Sequence, residues 1–153
     1  MSVGEGDLAP DFTLPASGGR IVSLAGQKGR PFVLYFYPKA DTSGCTKEAC
    51  AFQEALPQFR DIPVIGVSPD PMAPIEKFAA KYALTFPLAS DTEKHAAEAY
   101  GVWVEKSMYG KKYMGIERST FLVDGQGRIA RAWHKVKVDG HAAEVMAAAR
   151  ALT

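Results

Sequence analysis

The chain has 153 residues, of which 47% are hydrophobic and 23% are charged, and its formal net charge is +1. This length predicts a single domain, residues 1–153, whose hydrophobic core needs no disulfide or metal to hold it together. The charge gives no electrostatic reason to expect nucleic acid or a membrane as a partner. The N-terminus lacks the pattern of a signal peptide and no apolar run reaches the length of a membrane span, so we expect a cytoplasmic protein.

The first third of the sequence contains the patterns of a hairpin, a buried strand and a helix. Residues 11–14 and 21–24 flank a Ser-Gly-Gly turn and predict an N-terminal β-hairpin. The apolar run 32–37 predicts a buried strand that Pro38 ends. A polar turn follows, and apolar residues at helical spacing then predict a helix that begins near Cys45.

The middle of the sequence continues to alternate between strands and helices. An apolar run predicts a strand at 63–68, and helical spacing predicts a helix at 74–82. Residues 86–88 predict a short edge strand, because Pro87 has no N–H to donate to a neighbouring strand. A helix is predicted at 91–100, with Asp91 at its N-cap.

Residues 102–117 differ from the segments around them. They are rich in Lys, Tyr, Met and Gly and predict a loop. Its large apolar residues are expected to pack beneath it, with an interface or docking surface as the alternative: Trp103, Met108, Tyr113 and Met114.

The last part of the sequence predicts a second hairpin and a final helix. Strands at 119–123 and 129–133 flank an Asp-Gly-Gln-Gly turn, and an Ala-rich helix is predicted over 140–152. Alternating strands and helices followed by an antiparallel pair are typical of an α/β fold. We therefore expect a central mixed β-sheet flanked by helices.

Cys45 and Cys50 are the only cysteines in the sequence. Cys45 falls in the first turn of a predicted helix, where unpaired backbone N–H groups and the helix dipole favour a thiolate over a thiol. Two thiols this close in a reducing compartment indicate catalysis, redox sensing or metal binding rather than a structural disulfide. Metal binding is disfavoured, because no ligands have the spacing of a metal site.

The spacing of the two cysteines sets a geometric condition. Five residues along a regular helix separate two Cα atoms by about 8.6 Å, whereas a disulfide requires about 7 Å or less. The two cysteines therefore either never bond or bond only after the helix unwinds locally.

Four residues are predicted to surround Cys45. Thr42 offers a hydroxyl beside the sulfur or caps the helix, and Pro38 ends the strand and shields the pocket from water. Gly44 lets the backbone approach a small substrate and offers its N–H as a donor. Arg118 precedes a strand, and a cation there would stabilise the thiolate and the charge that develops on a leaving oxygen.

These residues resemble a known family. The pattern Pro38-x-x-x-Thr42-x-x-Cys45 resembles the active-site motif of the peroxiredoxins, and the Cys-x4-Cys spacing is similar to their bacterioferritin-comigratory, or peroxiredoxin Q, class. The segment Gly-x-x-Ala-Pro-Asp-Phe-x-Leu at 6–14 resembles that family's N-terminal signature. Residues 117–124 resemble the segment that carries its arginine.

The resemblance implies a thioredoxin-like fold and a thiol peroxidase that needs no metal or bound cofactor. Cys45 would attack the peroxide and become a sulfenic acid, Thr42 would hydrogen-bond the substrate, and Arg118 would stabilise the thiolate and the transition state. Cys50 would then form an intramolecular disulfide, which thioredoxin or a similar thiol reductant would reduce. A monomer is expected, with a dimer left open. Ser43 stands where the family commonly has proline, so the first turn of the helix is expected to open more easily.

Two other functions stay open on the sequence alone. One is a disulfide oxidoreductase, although that chemistry typically uses Cys-x-x-Cys, which fits within one helical turn without unfolding. The other is a redox-responsive binding module, in which a disulfide between Cys45 and Cys50 reshapes a surface for a partner. Peroxide turnover with a recycling reductant distinguishes a peroxidase from both.

Overall fold

A seven-stranded sheet runs through the centre of the protein, which a computed structural model describes from residue 3 to residue 152. In chain order its strands are β1 (Thr13–Ala16), β2 (Arg20–Ser23), β3 (Phe32–Phe36), β4 (Val64–Ser68), β5 (Leu88–Ser90), β8 (Ser119–Val123) and β9 (Ile129–Trp133). A separate two-stranded sheet consists of β6 (Trp103–Met108) and β7 (Lys111–Ile116). The described helices are α1 (Ser43–Phe59), α2 (Met72–Lys81), α3 (His95–Ala99) and α4 (His141–Arg150). None of the described helices is long and apolar enough to cross a membrane.

The central sheet is mixed, with the order β2-β1-β5-β4-β3-β8-β9. β3 pairs parallel with β4 and antiparallel with β8, while β1 and β2 form the N-terminal hairpin. All five residues of β3 are buried, because helices or loops cover both faces of the sheet. The α/β fold with a central mixed sheet, flanking helices and an N-terminal hairpin is therefore confirmed.

Two hydrophobic clusters lie on the two faces of this sheet. One contains residues of α1, α2 and α4, and the other contains residues of α3 and the N-terminal segment. In the first cluster Phe52 of α1 stacks on Tyr35 of β3, with ring centroids 4.7 Å apart. Burial of a side chain of this size contributes about 1.5–3 kcal/mol, so this contact holds α1 firmly against the end of β3.

The edge strand predicted at 86–88 is wrong in both its position and its bounds. β5 begins at Leu88 and lies inside the sheet, between β4 and β1. Pro87 precedes the strand, and its carbonyl accepts a hydrogen bond of 3.0 Å from the Gly66 N–H. Proline is thus excluded from the strand, as its missing N–H requires. The N-terminal hairpin covers the far side of β5 through the pair Ala16 and Ala89.

The helix predicted at 91–100 is shorter than expected, since α3 begins at His95. Lys94 has a φ of 60° and breaks the helical path ahead of it. Asp91 still supplies the expected side-chain acceptor, because its carboxylate accepts the N–H groups of Ala96 at 3.2 Å and Ala97 at 2.9 Å. It binds the free N–H groups of the helix from outside the helix rather than from the N-cap position.

The loop predicted at 102–117 is wrong, because this segment forms the antiparallel hairpin of β6 and β7. Six residue pairs run from Trp103 with Ile116 to Met108 with Lys111. Tyr109 and Gly110 connect the strands, and both have the positive φ that a tight two-residue hairpin turn requires. The polar composition hid the strands, since neither face of this hairpin is fully buried.

The packing predicted beneath that loop is wrong for three of its four residues. Met108, Tyr113 and Met114 are exposed to 57%, 44% and 49%. Trp103 is half-buried and does pack against the core. The hairpin therefore projects from the domain with an apolar surface that faces solvent.

Candidate active site

Cys45 lies at the point where the central strand passes into the first helix. β3 ends at Phe36, a turn follows, and α1 begins at Ser43, so Cys45 is the third residue of the helix. Its side chain is buried, with only 2% exposed. The N–H groups of this first turn have no acceptor within the helix, so the sulfur lies beside unpaired donors and the positive end of the dipole. This placement agrees with the one predicted from the sequence.

Arg118 reaches this point because of how the strands pair. β8 runs antiparallel to β3 with Ser119 opposite Phe36, so the residue that precedes β8 lies beside the end of β3. The Val136 N–H donates to the Arg118 carbonyl at 2.9 Å and fixes the backbone there. The sheet register thus brings together two residues that are 73 positions apart in the sequence.

The Arg118 guanidinium contacts both the thiol and a buried carboxylate. Its Nη2 donates to Cys45 Sγ at 3.3 Å, and its Nη1 donates to Glu48 Oε1 at 2.6 Å. The side chain is 17% exposed, so water screens these contacts only partly. The arrangement places a fixed positive charge against the sulfur.

Gly44 leaves the space that this contact needs. A Cβ at position 44 would lie 3.3 Å from Arg118 Nη2, which is tighter than an ordinary van der Waals contact. The sequence predicts that Gly44 lets the backbone approach a small substrate. The structure adds that the missing side chain also allows the guanidinium to lie over the first turn of the helix.

Glu48 lies beside Arg118 and Cys45, although it is not among the site residues predicted from the sequence. Its side chain is 1% exposed, and its Oε2 has no hydrogen-bond partner among the described residues. Burial raises the pKa of Glu48 to about 7, although the Arg118 charge and hydrogen bond oppose that rise. The sequence could have indicated Glu48 through its spacing, because residues three apart on a helix share a face and Glu48 follows Cys45 by three.

Thr42 lies directly before α1, and its side chain does not cap the helix. Its hydroxyl instead donates to the Lys39 carbonyl at 2.8 Å, so the capping interpretation is wrong. The single hydroxyl proton is used in that bond, which leaves the oxygen lone pairs free to accept a hydrogen bond from a ligand. Pro38 follows the buried Tyr37 and is itself half-buried.

The turn between β3 and α1 is tied to the neighbouring part of the chain. The Ala40 N–H donates to Asp70 Oδ2 at 2.7 Å. Asp41 pairs with Lys81 at 3.0 Å and accepts a hydrogen bond from the Tyr82 hydroxyl at 2.9 Å. These contacts lower the pKa of Asp41, first through the hydrogen bond from Lys81. They hold the turn in place.

Cys50 lies further along the same helix, is half-buried, and is a free thiol like Cys45. Burial raises the pKa of Cys50, and the negative charge of Glu54 raises it further. Because α1 is continuous through both cysteines, the helix geometry keeps their Cα atoms about 8.6 Å apart. Within residues 3–152 no group of three or more His, Cys, Asp or Glu side chains is arranged to hold a metal ion.

Comparison with known sequences gives matches over most of the chain. Residues 5–132 match the family described as the AhpC/TSA family. Peroxiredoxin Bcp of Bacillus subtilis is 47% identical over 148 residues, which cover 95% of this chain and 94% of that protein. Peroxiredoxin Bcp of Escherichia coli is 40% identical over 138 residues, which cover 89% and 88%.

Solved structures give the same result for the fold. A mutant of Xylella fastidiosa PrxQ superposes with a TM-score of 0.92 at 40% identity, covering 99% of this chain and 98% of that one. The bacterioferritin comigratory protein of Xanthomonas campestris, studied for its alkyl peroxide reduction activity, superposes with a TM-score of 0.87 at 44% identity and covers 92% and 90%. These similarities extend over the segments that carry both cysteines and Arg118.

Proposed function

The chain belongs to the AhpC/TSA family, within its Bcp or peroxiredoxin Q group of thiol peroxidases, and on this premise we propose that Cys45 is the thiol that reduces the peroxide. The observation that carries the proposal is the hydrogen bond of 3.3 Å from Arg118 Nη2 to Cys45 Sγ. A thiolate is the nucleophile in this chemistry, and a neighbouring guanidinium together with a helix N-terminus favours the thiolate.

In the proposed first step the Cys45 sulfur attacks the terminal oxygen of a hydroperoxide. An S–O bond forms and the O–O bond breaks, so the sulfur is oxidised to a sulfenic acid and the peroxide is reduced. The departing oxygen leaves as an alkoxide or hydroxide, which takes a proton from solvent. Arg118 would stabilise the charge on that oxygen. The Thr42 oxygen, whose own proton is held by Lys39, would accept the hydrogen bond of the peroxide O–H.

Pro38 and Gly44 have supporting roles in this proposal. Pro38 would limit the access of water to the sulfur. Gly44 would admit both the peroxide and the guanidinium, since any side chain there meets Arg118.

In the proposed second step the Cys50 thiol attacks the sulfenic acid, which forms a disulfide and releases water. The intact helix holds the two cysteines too far apart for this bond. Roughly the first two turns of α1 would therefore unwind before it forms. We propose thioredoxin or a similar dithiol as the reductant that opens the disulfide and restores both thiols.

The remaining proposals concern the substrates and the state of the protein. We propose that hydrogen peroxide and organic hydroperoxides are the substrates, which agrees with the alkyl peroxide reduction of the Xanthomonas campestris relative. We further propose a cytoplasmic, single-domain protein that acts as a monomer and needs no cofactor.

The test compares Cys45→Ser and Cys50→Ser with the wild type, using stopped-flow Trp fluorescence and then mass spectrometry. Cys45→Ser should lose peroxide reduction while it keeps the fold. Cys50→Ser should reduce about one equivalent of peroxide, stall with thioredoxin, and accumulate sulfenic or sulfinic acid on Cys45. If Cys45→Ser kept about a tenth of the wild-type rate or more, the nucleophile would have to lie elsewhere.

A further inference from the structure

Lys106, near the middle of β6, is a cation close to the site that the proposed chemistry does not use. Its side chain is half-buried, whereas Lys111 and Lys112 on β7 are exposed. Within residues 3–152 no carboxylate lies within ion-pair distance of the Lys106 amino group, and that group makes no hydrogen bond. A partly desolvated ammonium without a partner is costly unless an anion comes to it.

The hairpin holds the Lys106 side chain in a defined position. The register pairs Lys106 with Tyr113, so the two side chains share one face of the hairpin, together with Gly115 two residues further on. A Cβ at position 115 would lie 3.3 Å from Lys106 Cδ. The glycine therefore lets the aliphatic part of the lysine lie across β7, the strand that leads directly to Arg118.

The Lys106 side chain is directed toward the end of β7 that leads to Arg118, because a Cβ at position 115 would lie 3.3 Å from its Cδ and 3.6 Å from its Cε. Burial lowers the pKa of Lys106, the positive charge of Arg118 lowers it further, and Cys45 and Glu117 oppose this. The amino group is thus within electrostatic range of both the sulfur and the guanidinium. Glu117 does not neutralise it, because the Glu117 carboxylate lies 3.3 Å from His134 Nδ1 and outside ion-pair distance of the lysine.

The balance of buried charge near Cys45 leaves Lys106 available for a ligand. Glu48 is the carboxylate buried beside the sulfur, and it is already paired with Arg118 at 2.6 Å. Lys106 then adds a positive charge that no neighbouring carboxylate cancels. An unpaired positive charge raises the local concentration of anions and the rate at which they associate.

We propose that Lys106 makes this site prefer peroxides that carry a negative charge next to the O–O bond, such as 2-hydroperoxy carboxylates, over neutral peroxides of the same shape. The proposal rests on the peroxidase role of Cys45. The reaction itself is unchanged: the sulfur takes the terminal oxygen, and the product is the corresponding 2-hydroxy carboxylate. Lys106 acts on the carboxylate and is a specificity-determining residue.

A matched pair of substrates tests this proposal. tert-Butyl hydroperoxide is neutral, and 2-hydroperoxy-2-methylpropanoate has the same shape with one methyl group replaced by a carboxylate. Stopped-flow measurements would give the second-order rate constant for each peroxide in the wild type and in Lys106→Met. The ratio of the anionic to the neutral rate constant should fall about tenfold in Lys106→Met. Using a ratio cancels any change in the reactivity of Cys45 itself.

Two control variants sharpen the result. Lys106→Arg keeps the charge and should keep most of the wild-type ratio. Lys111→Met removes an exposed lysine from the same hairpin and should leave the ratio unchanged. The preference in the wild type and in Lys111→Met should weaken as ionic strength rises, and this salt dependence should be smaller in Lys106→Met.

Two results would overturn the proposal. The first is an equal fall of both rate constants in Lys106→Met, which would make the lysine a support for the site as a whole. The second is that neither rate constant changes. If the wild type reduced neither peroxide, the peroxidase role of Cys45 would fail, and the role of Lys106 would fail with it.

Discussion

The first two turns of α1 and the remainder of that helix are held in place by different kinds of contact. The first two turns bury only small apolar side chains in the core, Cys45 and Ala49, beside the buried pair of Glu48 with Arg118 and the exposed pair of Lys47 with Asp139. In the remainder, Phe52 and Phe59 are buried to 1% exposure or less in the main core. The Phe52 ring stacks on Tyr35.

This difference shows how one helix can serve both as a site and as a scaffold. Full burial of a phenylalanine contributes about 1.5–3 kcal/mol, and residues 43–50 carry no aromatic side chain. The aromatic part can therefore keep the helix on the sheet when the first two turns open. Opening is what the proposed disulfide between Cys45 and Cys50 requires.

The two parts also respond to pH in opposite directions. Glu48 has its pKa raised from 4.5 to about 7, so its contribution to stability is full below pH 4.5 and is lost as the pH rises through 7. His141, which packs against Phe52, has its pKa lowered from 6.5 to about 4, first through burial. Its contribution is full above pH 6.5 and is lost as the pH falls towards 4. As the pH rises through 7 the contribution of Glu48 therefore declines, while that of neutral His141 is complete.

Removing the Phe52 ring should have the largest effect on the free energy of unfolding. Phe52→Ala leaves a cavity in the core and should lower the free energy of unfolding of the reduced protein by about 3–5 kcal/mol, measured by urea denaturation. Gln58→Ala, at an exposed position of the same helix, should change it by less than about 0.5 kcal/mol. A loss below about 1 kcal/mol in Phe52→Ala would show that the core does not hold this part of α1.

Removing the positive charge of Arg118 should slow the reaction with peroxide at the N-terminal end of helix α1. Arg118→Ala should slow the reaction with peroxide by about 10²-fold or more, because it deletes a donor aimed at the sulfur and the leaving oxygen. The measurement is the stopped-flow rate constant of the peroxide step. Arg131→Ala removes an arginine of β9 that pairs with Glu5, and it should react like the wild type. Equal rates in Arg118→Ala and Arg131→Ala would contradict the assignment of Arg118.

Lowering the pH should lower the free energy of unfolding, because His141, which packs against Phe52 of α1, then becomes protonated. The unfolded protein binds a proton at this residue near pH 6.5 and the folded protein only near pH 4, so acid favours unfolding. From about pH 7.5 to about pH 5 the expected loss from this residue is about 2 kcal/mol. His141→Gln keeps a polar partner for Thr120, which lies 2.8 Å from the imidazole. The slope of stability against pH should be smaller in this variant, and an identical slope would exclude His141 as its source.

The smallest expected effect concerns the residue where helix α1 begins. Ser43→Pro should stabilise the reduced protein by about 0.4–1 kcal/mol if the backbone there suits proline. Since Ser43 is the first residue of the helix, proline costs no helical hydrogen bond at that position. The same change should slow formation of the disulfide between Cys45 and Cys50.

Amide exchange in both redox states measures this step directly. The oxidised wild type should exchange faster over residues 43–50 and unchanged over residues 52–59. Equal exchange in the two states, with the disulfide proven by mass spectrometry, would show that the first turns do not unwind. Faster exchange across the whole helix would contradict the division of α1 into two parts.

Several features of the fold and the site were predictable because they depend on local pattern. The buried run of β3 and the helical spacing that includes Phe52 follow from periodicity alone. Cys45 was predictable at the start of a helix because a polar turn precedes it. The hairpin of β6 and β7 was not, since its strands are polar and its stability comes from pairing and a tight turn.

The acceptors and partners of the polar groups were harder to predict. Asp91 was correctly expected to bind helix N–H groups, yet Lys94, with its positive φ, moved the helix start four residues away. Thr42 stands where a cap is expected, but its hydroxyl binds a carbonyl in the preceding turn. In each case two local acceptors or conformations compete by about 1 kcal/mol, and the surrounding structure selects one.

The sequence by itself determined that the segments of β3, β4, β8 and β9 form strands, where the first helix begins and which thiol lies in its first turn, because these follow from apolar periodicity and turn chemistry within a few residues. Only the tertiary structure decided that Arg118 lies 3.3 Å from Cys45, that Glu48 is buried and paired with Arg118, and that the Lys106 side chain lies across Gly115 of β7. The physical reason is that sheet register and strand order bring together residues that are far apart in the chain. Such placements depend on the packing of the whole domain, which no local pattern records.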